Sequence, residues 1–162
     1  MKLMVCGYGR HGKDTFCELS GLKFESSSYF ALHAFIWPAW GIMQNYLTPE
    51  QCFEDRHNHR VKWHELIKQY NKDDKARLAR AIFSENDIYC GIRCREEFNA
   101  AKADKLFDYS IWVDASDRHP PEPKDSCTIT PDMCDFVLPN NGTEAEFSGR
   151  VYQFMRFISH ER

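Results

Sequence analysis

The residues best equipped for chemistry lie near the amino terminus, in Gly7-Tyr8-Gly9-Arg10-His11-Gly12-Lys13-Asp14-Thr15, a G-x-x-x-x-G-K pattern. Four residues between glycines let the backbone curl until several N–H groups face one centre, where they can hold phosphate oxygens. A following helix adds the positive end of its dipole. Lys13 then reaches the terminal phosphates as a point charge. The nonapeptide is therefore expected to cradle a nucleoside triphosphate, ATP being the expected one. Ser or Thr ordinarily follows the lysine in this pattern and holds Mg²⁺; here Asp14 stands in that place and the hydroxyl comes one residue later, on Thr15. A carboxylate can bind Mg²⁺ directly or through water. Asp14 and Thr15 are both candidate metal ligands.

A second polar cluster, Phe53-Glu54-Asp55-Arg56-His57-Asn58-His59-Arg60, is the densest in the chain. A zinc site from Cys52, His57, His59 and His64 fails on spacing. Two readings remain: a solvated helix start capped by Asp55 or Asn58, or an acceptor site. In the second, Arg56 and Arg60 grip phosphate, and Asp55, His57 or His59 orients an attacking hydroxyl. Ser26, Ser27 and Ser28 either cap a helix or contact an acceptor. Arg93 and Arg95 stand where a helix should begin, an electrostatic cost that a bound phosphate would offset. Segment 115–126 holds Arg118, His119, Lys124 and three prolines. It is either a surface connection or a small lid carrying Arg118 over the phosphates.

The elements that must position these residues follow from short apolar runs. Strands are expected at Leu3–Cys6, Leu22–Glu25, Asp87–Cys90, Tyr109–Val113 and Asp135–Leu138. Between them, Trp63, Leu66, Ile67 and Tyr70 fall at helical spacing, as do Ala79, Ile82 and Phe83, and Val151, Phe154, Met155 and Ile158. Pro38 should break or kink the aromatic segment 29–46, whose rings are mostly core with one or two placed to line a pocket for a flat base. Thr143 and Glu146 make a capping box. Strands alternating with helices imply an α/β fold: a parallel sheet covered on both faces. Right-handed crossovers bring the glycine loop, Ser26–Ser28, Arg93 and Asp114 to one sheet edge.

Composition narrows the class. The 162 residues suit one domain, with 43% hydrophobic and 28% charged residues and no run approaching a membrane span. The start does not resemble a signal peptide. The seven cysteines form no C-x-x-C pair, so reduced thiols in a cytoplasmic protein are expected. A net charge of −3 does not advertise a nucleic-acid binder.

G-x-x-x-x-G-K-D-T, the G-I-R-x-R-x-E segment from Gly91 to Glu96, W-V-D-A-S from Trp112 to Ser116, and D-x-V-x-x-N-N-G-T from Asp135 to Thr143 together resemble the nucleoside monophosphate kinase superfamily, in its bacteriophage deoxynucleotide-kinase branch. The resemblance implies a P-loop kinase fold with strand order 2-3-1-4-5, ATP dependence with Mg²⁺, a short lid, and Asn140 beside the nucleotide. Many such proteins place an aspartate at the end of the third strand, where this chain has Cys90. R-H-G-K-D-T and E-D-R-H-N-H-R are similar, more narrowly, to phage kinases that phosphorylate 5-hydroxymethyl-deoxyuridine in DNA, towards hypermodified thymidine. That resemblance implies a DNA acceptor in an infected bacterial cytoplasm, with Lys13, Asp55, Arg93 and Arg118 in transfer. The same arginines would serve a deoxynucleoside monophosphate kinase. A nucleotide-binding switch without transfer activity is the third expectation, prompted by Cys90.

Overall fold

In the computed structural model, which describes residues 1–160, five parallel strands form one sheet in the order β2-β3-β1-β4-β5. They are β1 (Leu3–Cys6), β2 (Phe24–Ser26), β3 (Ile88–Cys90), β4 (Tyr109–Asp114) and β5 (Phe136–Pro139). Seven α-helices accompany them: α1 (Lys13–Ser20), α2 (Ser27–Ala31), α3 (Pro49–Glu54), α4 (Arg60–Tyr70), α5 (Arg77–Glu85), α6 (Arg95–Ala103) and α7 (Glu144–His160). β1 lies at the centre, pairing Leu3 with Ile88 on one side and with Tyr109 on the other.

Alternation along the strands feeds two cores. Leu3, Val5, Ile88, Ile111 and Val113 meet Phe16 of α1 and Phe147, Val151, Phe154 and Ile158 of α7. On the opposite face, Met4, Tyr89 and Trp112 meet Leu78, Ala79, Ile82 and Phe83 of α5 and Phe98 of α6. Successive side chains point to opposite sides, so near-continuous apolar strands require helices on both. The expected helix faces of α5 and α7 are the buried ones, with Met155 only half-buried. Cys6 and Cys90 are buried core residues, as their apolar runs suggested.

β3 starts one residue later than expected, β4 ends one later and β5 is shifted by one, and three larger differences have identifiable causes. β2 begins two residues late and ends at Ser26, whose side chain then caps α2 by accepting from the Tyr29 N–H at 3.1 Å. The helix expected over Asp73–Phe83 is α5 and starts only at Arg77, because Asp74 accepts from the Ala76 N–H and Asn71 from the Leu78 N–H, holding the preceding turn. Pro38 does not end its segment: α2 runs into a π-helical stretch, Leu32–Gly41, and a 3₁₀ turn, Ile42–Gln44. The wider π turn relieves the clash between a proline ring and the carbonyl of the preceding turn. This stretch builds a third core, in which Ala31, Leu32, Ile36 and Trp40 pack on Cys52 and Trp63. The 53–60 cluster stands on that base.

At the other end, Thr143 and Glu146 bond reciprocally, Glu146 accepting from the Thr143 N–H at 2.7 Å and Thr143 from the Glu146 N–H at 3.3 Å. The capping box is formed as its spacing predicts. Among the described residues no helix is long and apolar enough to cross a membrane.

Candidate phosphate-binding site

The loop between β1 and α1 is shaped by positions that admit no side chain. Gly7 has φ +143°, and a Cβ there would lie 2.7 Å from the Val113 carbonyl oxygen. Gly12 has φ +93°, and a Cβ there would run into the Asn140 amide. Asn140 is held in turn, its Nδ2 donating to the His11 carbonyl at 3.0 Å and its N–H to the Asp114 carbonyl at 2.5 Å. The Lys13 ammonium donates to the Tyr8 carbonyl at 2.7 Å, folded across the loop. Burial lowers its pKa, and the Arg93 charge pushes the same way. An anion entering here would be met by a cation already stripped of much of its water.

His11 is the loop's internal strut. It is buried, and its Nδ1 accepts from the Ala115 N–H at 2.9 Å, tying the loop to the end of β4. Its proton therefore sits on Nε2. Tyr8 meets the His11 and Trp112 rings edge-on. Burial lowers the His11 pKa, with Asp114 opposing. Between that lowered value and the ordinary one near 6.5, the unfolded chain binds a proton that the folded chain refuses, so stability rises with pH across that window. His11→Gln lacks this contribution. The gap in melting temperature between wild type and His11→Gln should narrow as pH falls from 7.5 to 5.5; thermal scans showing a constant gap would contradict the strut.

Asp14 and Thr15 face different surroundings. An Asp14 carboxylate oxygen accepts from the Cys90 thiol at 3.5 Å, at the end of β3. Thr15 opens instead onto a depression of about 350 Å³ shared with Arg10, Gly12, Arg118, Asn140, Glu144 and Phe147. The Asp14 carboxylate, carried on α1, therefore lies at the carboxyl end of β3. Among the described residues no group of three His, Cys, Asp or Glu side chains could cage a metal. Mg²⁺ beside a polyphosphate needs no such cage, since one or two carboxylates suffice when phosphate oxygens complete the shell. Asp14 fits that requirement.

The ends of β1, β2 and β3 come together as their parallel topology demands. Ser27 donates to the Gly91 carbonyl at 3.1 Å, and a Cβ on Gly91 would lie 3.7 Å from Ser27 Oγ and 3.9 Å from Lys13 Cε. Ser26 is spent on its cap, and Ser28 lies in the first turn of α2. Arg56 is half-buried and folds back on its own turn: its guanidinium donates to the Phe53 carbonyl at 2.7 Å and lies 3.8 Å over the Phe53 ring. Burial lowers the Arg56 pKa, and the Asp14 carboxylate acts in the opposite direction.

Other expected site residues have different company. Asp55 accepts from Tyr46, from Asn58 at 2.6 Å, and pairs with His59 at 3.0 Å. The Tyr46 hydroxyl first, then Asn58, hold its carboxyl below the ordinary range. Asp55 thus braces the 3₁₀ turn Asp55–Asn58. His59 also meets Trp40 edge-on. Exposed His57 is lowered chiefly by the neighbouring Arg56 charge. His57, His59 and Arg60 border an open depression of about 390 Å³ with Asn58, Val61 and Lys62. Arg95 turns to Thr128, donating to its carbonyl at 3.3 Å. Arg118 donates to the Asn140 carbonyl at 2.5 Å and lines the depression beside Thr15. From segment 115–126 the residue that meets Arg93 is Glu122, bonded to it and lying 3.7 Å from Arg60. Sequence reasoning passed over Glu122; its one local signal was a lone carboxylate set between prolines.

The molecule is an all-parallel α/β sheet of order 2-3-1-4-5 whose carboxyl edge carries a glycine-shaped loop and a half-buried lysine that feels the Arg93 charge. Comparison with protein-family models finds none that matches the chain, and comparison with curated proteins finds no significant match.

Proposed function

We propose that this protein is an ATP-dependent phosphotransferase of the P-loop kinase type. The observation that carries the proposal is the gathering of Lys13, Asp14 and Ser27 around the ends of three adjacent strands, with Arg56 near enough for the Asp14 charge to act on it. Lys13 binds the terminal phosphates by giving up its bond to the Tyr8 carbonyl. The loop's N–H groups hold the phosphate oxygens, and Asn140 keeps the loop curled around them. Mg²⁺ on Asp14 would neutralise charge shared between the outer phosphates. Arg93 and Arg56 bear on the charge that develops during transfer, and oriented cations of this kind act chiefly by positioning and electrostatics. Thr15, Arg10, Arg118 and Asn140 border the depression that would take the nucleoside.

For the acceptor we propose the hydroxymethyl group of 5-hydroxymethyl-deoxyuridine in DNA. The resemblance of the 10–15 and 54–60 motifs supports it, and so does an acceptor side that is open, with Val61 75% exposed at its rim. A polymer could cross such a surface. The second reading, a deoxynucleoside monophosphate acceptor, is favoured by the convergence of Arg60 and Arg93 on a single carboxylate, which matches one phosphate group. Labelled ATP with Mg²⁺, offered in parallel hydroxymethyluracil-bearing DNA and each deoxynucleoside monophosphate, separates the two. Label on DNA alone is expected. Diphosphates alone would move the assignment to the second reading, and bound ATP with no transfer would leave a nucleotide switch.

A further inference from the structure

Three cations gather at the mouth of the glycine loop, and one carboxylate answers them. Glu122 is only 13% exposed; one oxygen bonds Arg93 and the other lies 3.7 Å from Arg60. The same oxygen would be 2.9 Å from a Cβ placed on Gly9, so the carboxylate rests against the loop itself. Lys13 feels its charge as well. The two arginines come from separate elements, Arg60 from the start of α4 and Arg93 from the loop after β3. Guanidinium forks that converge from two sides suit an anion with several oxygens.

The segment delivering Glu122 is built to hold it there. It sits in Pro120-Pro121-Glu122-Pro123, where fixed φ values keep the chain extended and reduce the entropy lost on presenting the side chain. The segment is pinned at its start by the Ala115 N–H on His11, and a turn closed by the Ser126 N–H on the Pro123 carbonyl follows Glu122.

We propose that Glu122 is an internal surrogate for phosphate: it occupies the anion position at the mouth of the loop and must be displaced before a phosphate ligand can take Arg93 and Arg60. This inference rests on the phosphate-binding reading of the loop. A carboxylate brings one negative charge, whereas a polyphosphate brings several and can also engage Lys13 and the loop amides, so the exchange runs towards ligand. The device keeps the cationic mouth closed to weak anions and opens it to multivalent ones. A ligand can shift such an equilibrium only by its difference in affinity for the two states.

Binding of inorganic tripolyphosphate to the full chain, followed by calorimetry, tests the idea. Glu122→Gln should bind about tenfold more tightly than wild type, within the ordinary span of such couplings. Asp125→Asn removes the same charge from the same segment but, being exposed, should change affinity less than about twofold at 0.15 M salt. Lys13→Ala should lose binding. Equal or weaker binding by Glu122→Gln overturns the surrogate; if Lys13→Ala still loses binding, the loop assignment survives. Unchanged binding by Lys13→Ala overturns both. A second measurement uses wild type alone: tripolyphosphate should speed amide hydrogen exchange at Ser126, whose N–H closes the turn after Glu122, as the segment is released. Slower or unchanged exchange there contradicts displacement.

Discussion

Lys13→Ala is expected to give a folded protein that no longer transfers phosphate. Its ammonium contributes little to the fold, because the one bond it makes, to the Tyr8 carbonyl, is offset by the cost of burying the charge near Arg93. The melting temperature should move by no more than a few degrees, corresponding to about 1 kcal/mol. Transfer should fall by about 10²–10³ or more, the scale seen when one oriented donor to a charged transition state is removed. ATP binding should weaken in parallel, since the lysine meets the terminal phosphates before as well as during transfer. A calorimetric titration beside the labelled-ATP assay checks both halves. Near-normal turnover in this variant would remove the lysine from its role.

Gly12→Ala should do the reverse, damaging fold and binding together. At φ +93° an L side chain is strained, and the added methyl would collide with the Asn140 amide. Asn140 cannot retreat freely, since it holds the His11 carbonyl through its side chain and the Asp114 carbonyl through its backbone. Strain and lost bonds together should cost about 3 kcal/mol, lowering the melting temperature by about 10 °C for a domain of this size. Gly149→Ala is the reference, because nothing lies within 4 Å of a Cβ at that helical position. Thermal scans of the two variants side by side give the comparison. Equal stability for both would mean that the loop does not need the curl described above.

A cluster of charges can mislead when only its sequence neighbours are considered. Asp55 stands in the densest polar stretch of the chain, which made it a candidate for orienting a hydroxyl. Its acceptor capacity is taken up by Asn58 and His59, at the local spacings of three and four that the capping reading allows, and by Tyr46, nine residues back, which no spacing rule singles out. Arg95 and Arg118 likewise found partners in Thr128 and Asn140. Glu122 drew no attention because its importance lies in residues 29 and 62 positions away.

What the sequence determined by itself was everything whose physics is local. The glycine spacing of residues 7–12, the period-two and period-3.6 apolar patterns, and the Thr143–Glu146 box all act within a few residues, so their outcome follows from the order of side chains. Chirality then carried that information to the sheet edge, because right-handed crossovers leave few ways to arrange alternating strands and helices. The tertiary structure alone decided which charges face one another. Asp14 against Cys90 spans 76 positions and Asn140 on His11 spans 129. Such pairings depend on distances between packed elements to within an ångström or two, and nothing in the local order of residues sets those distances.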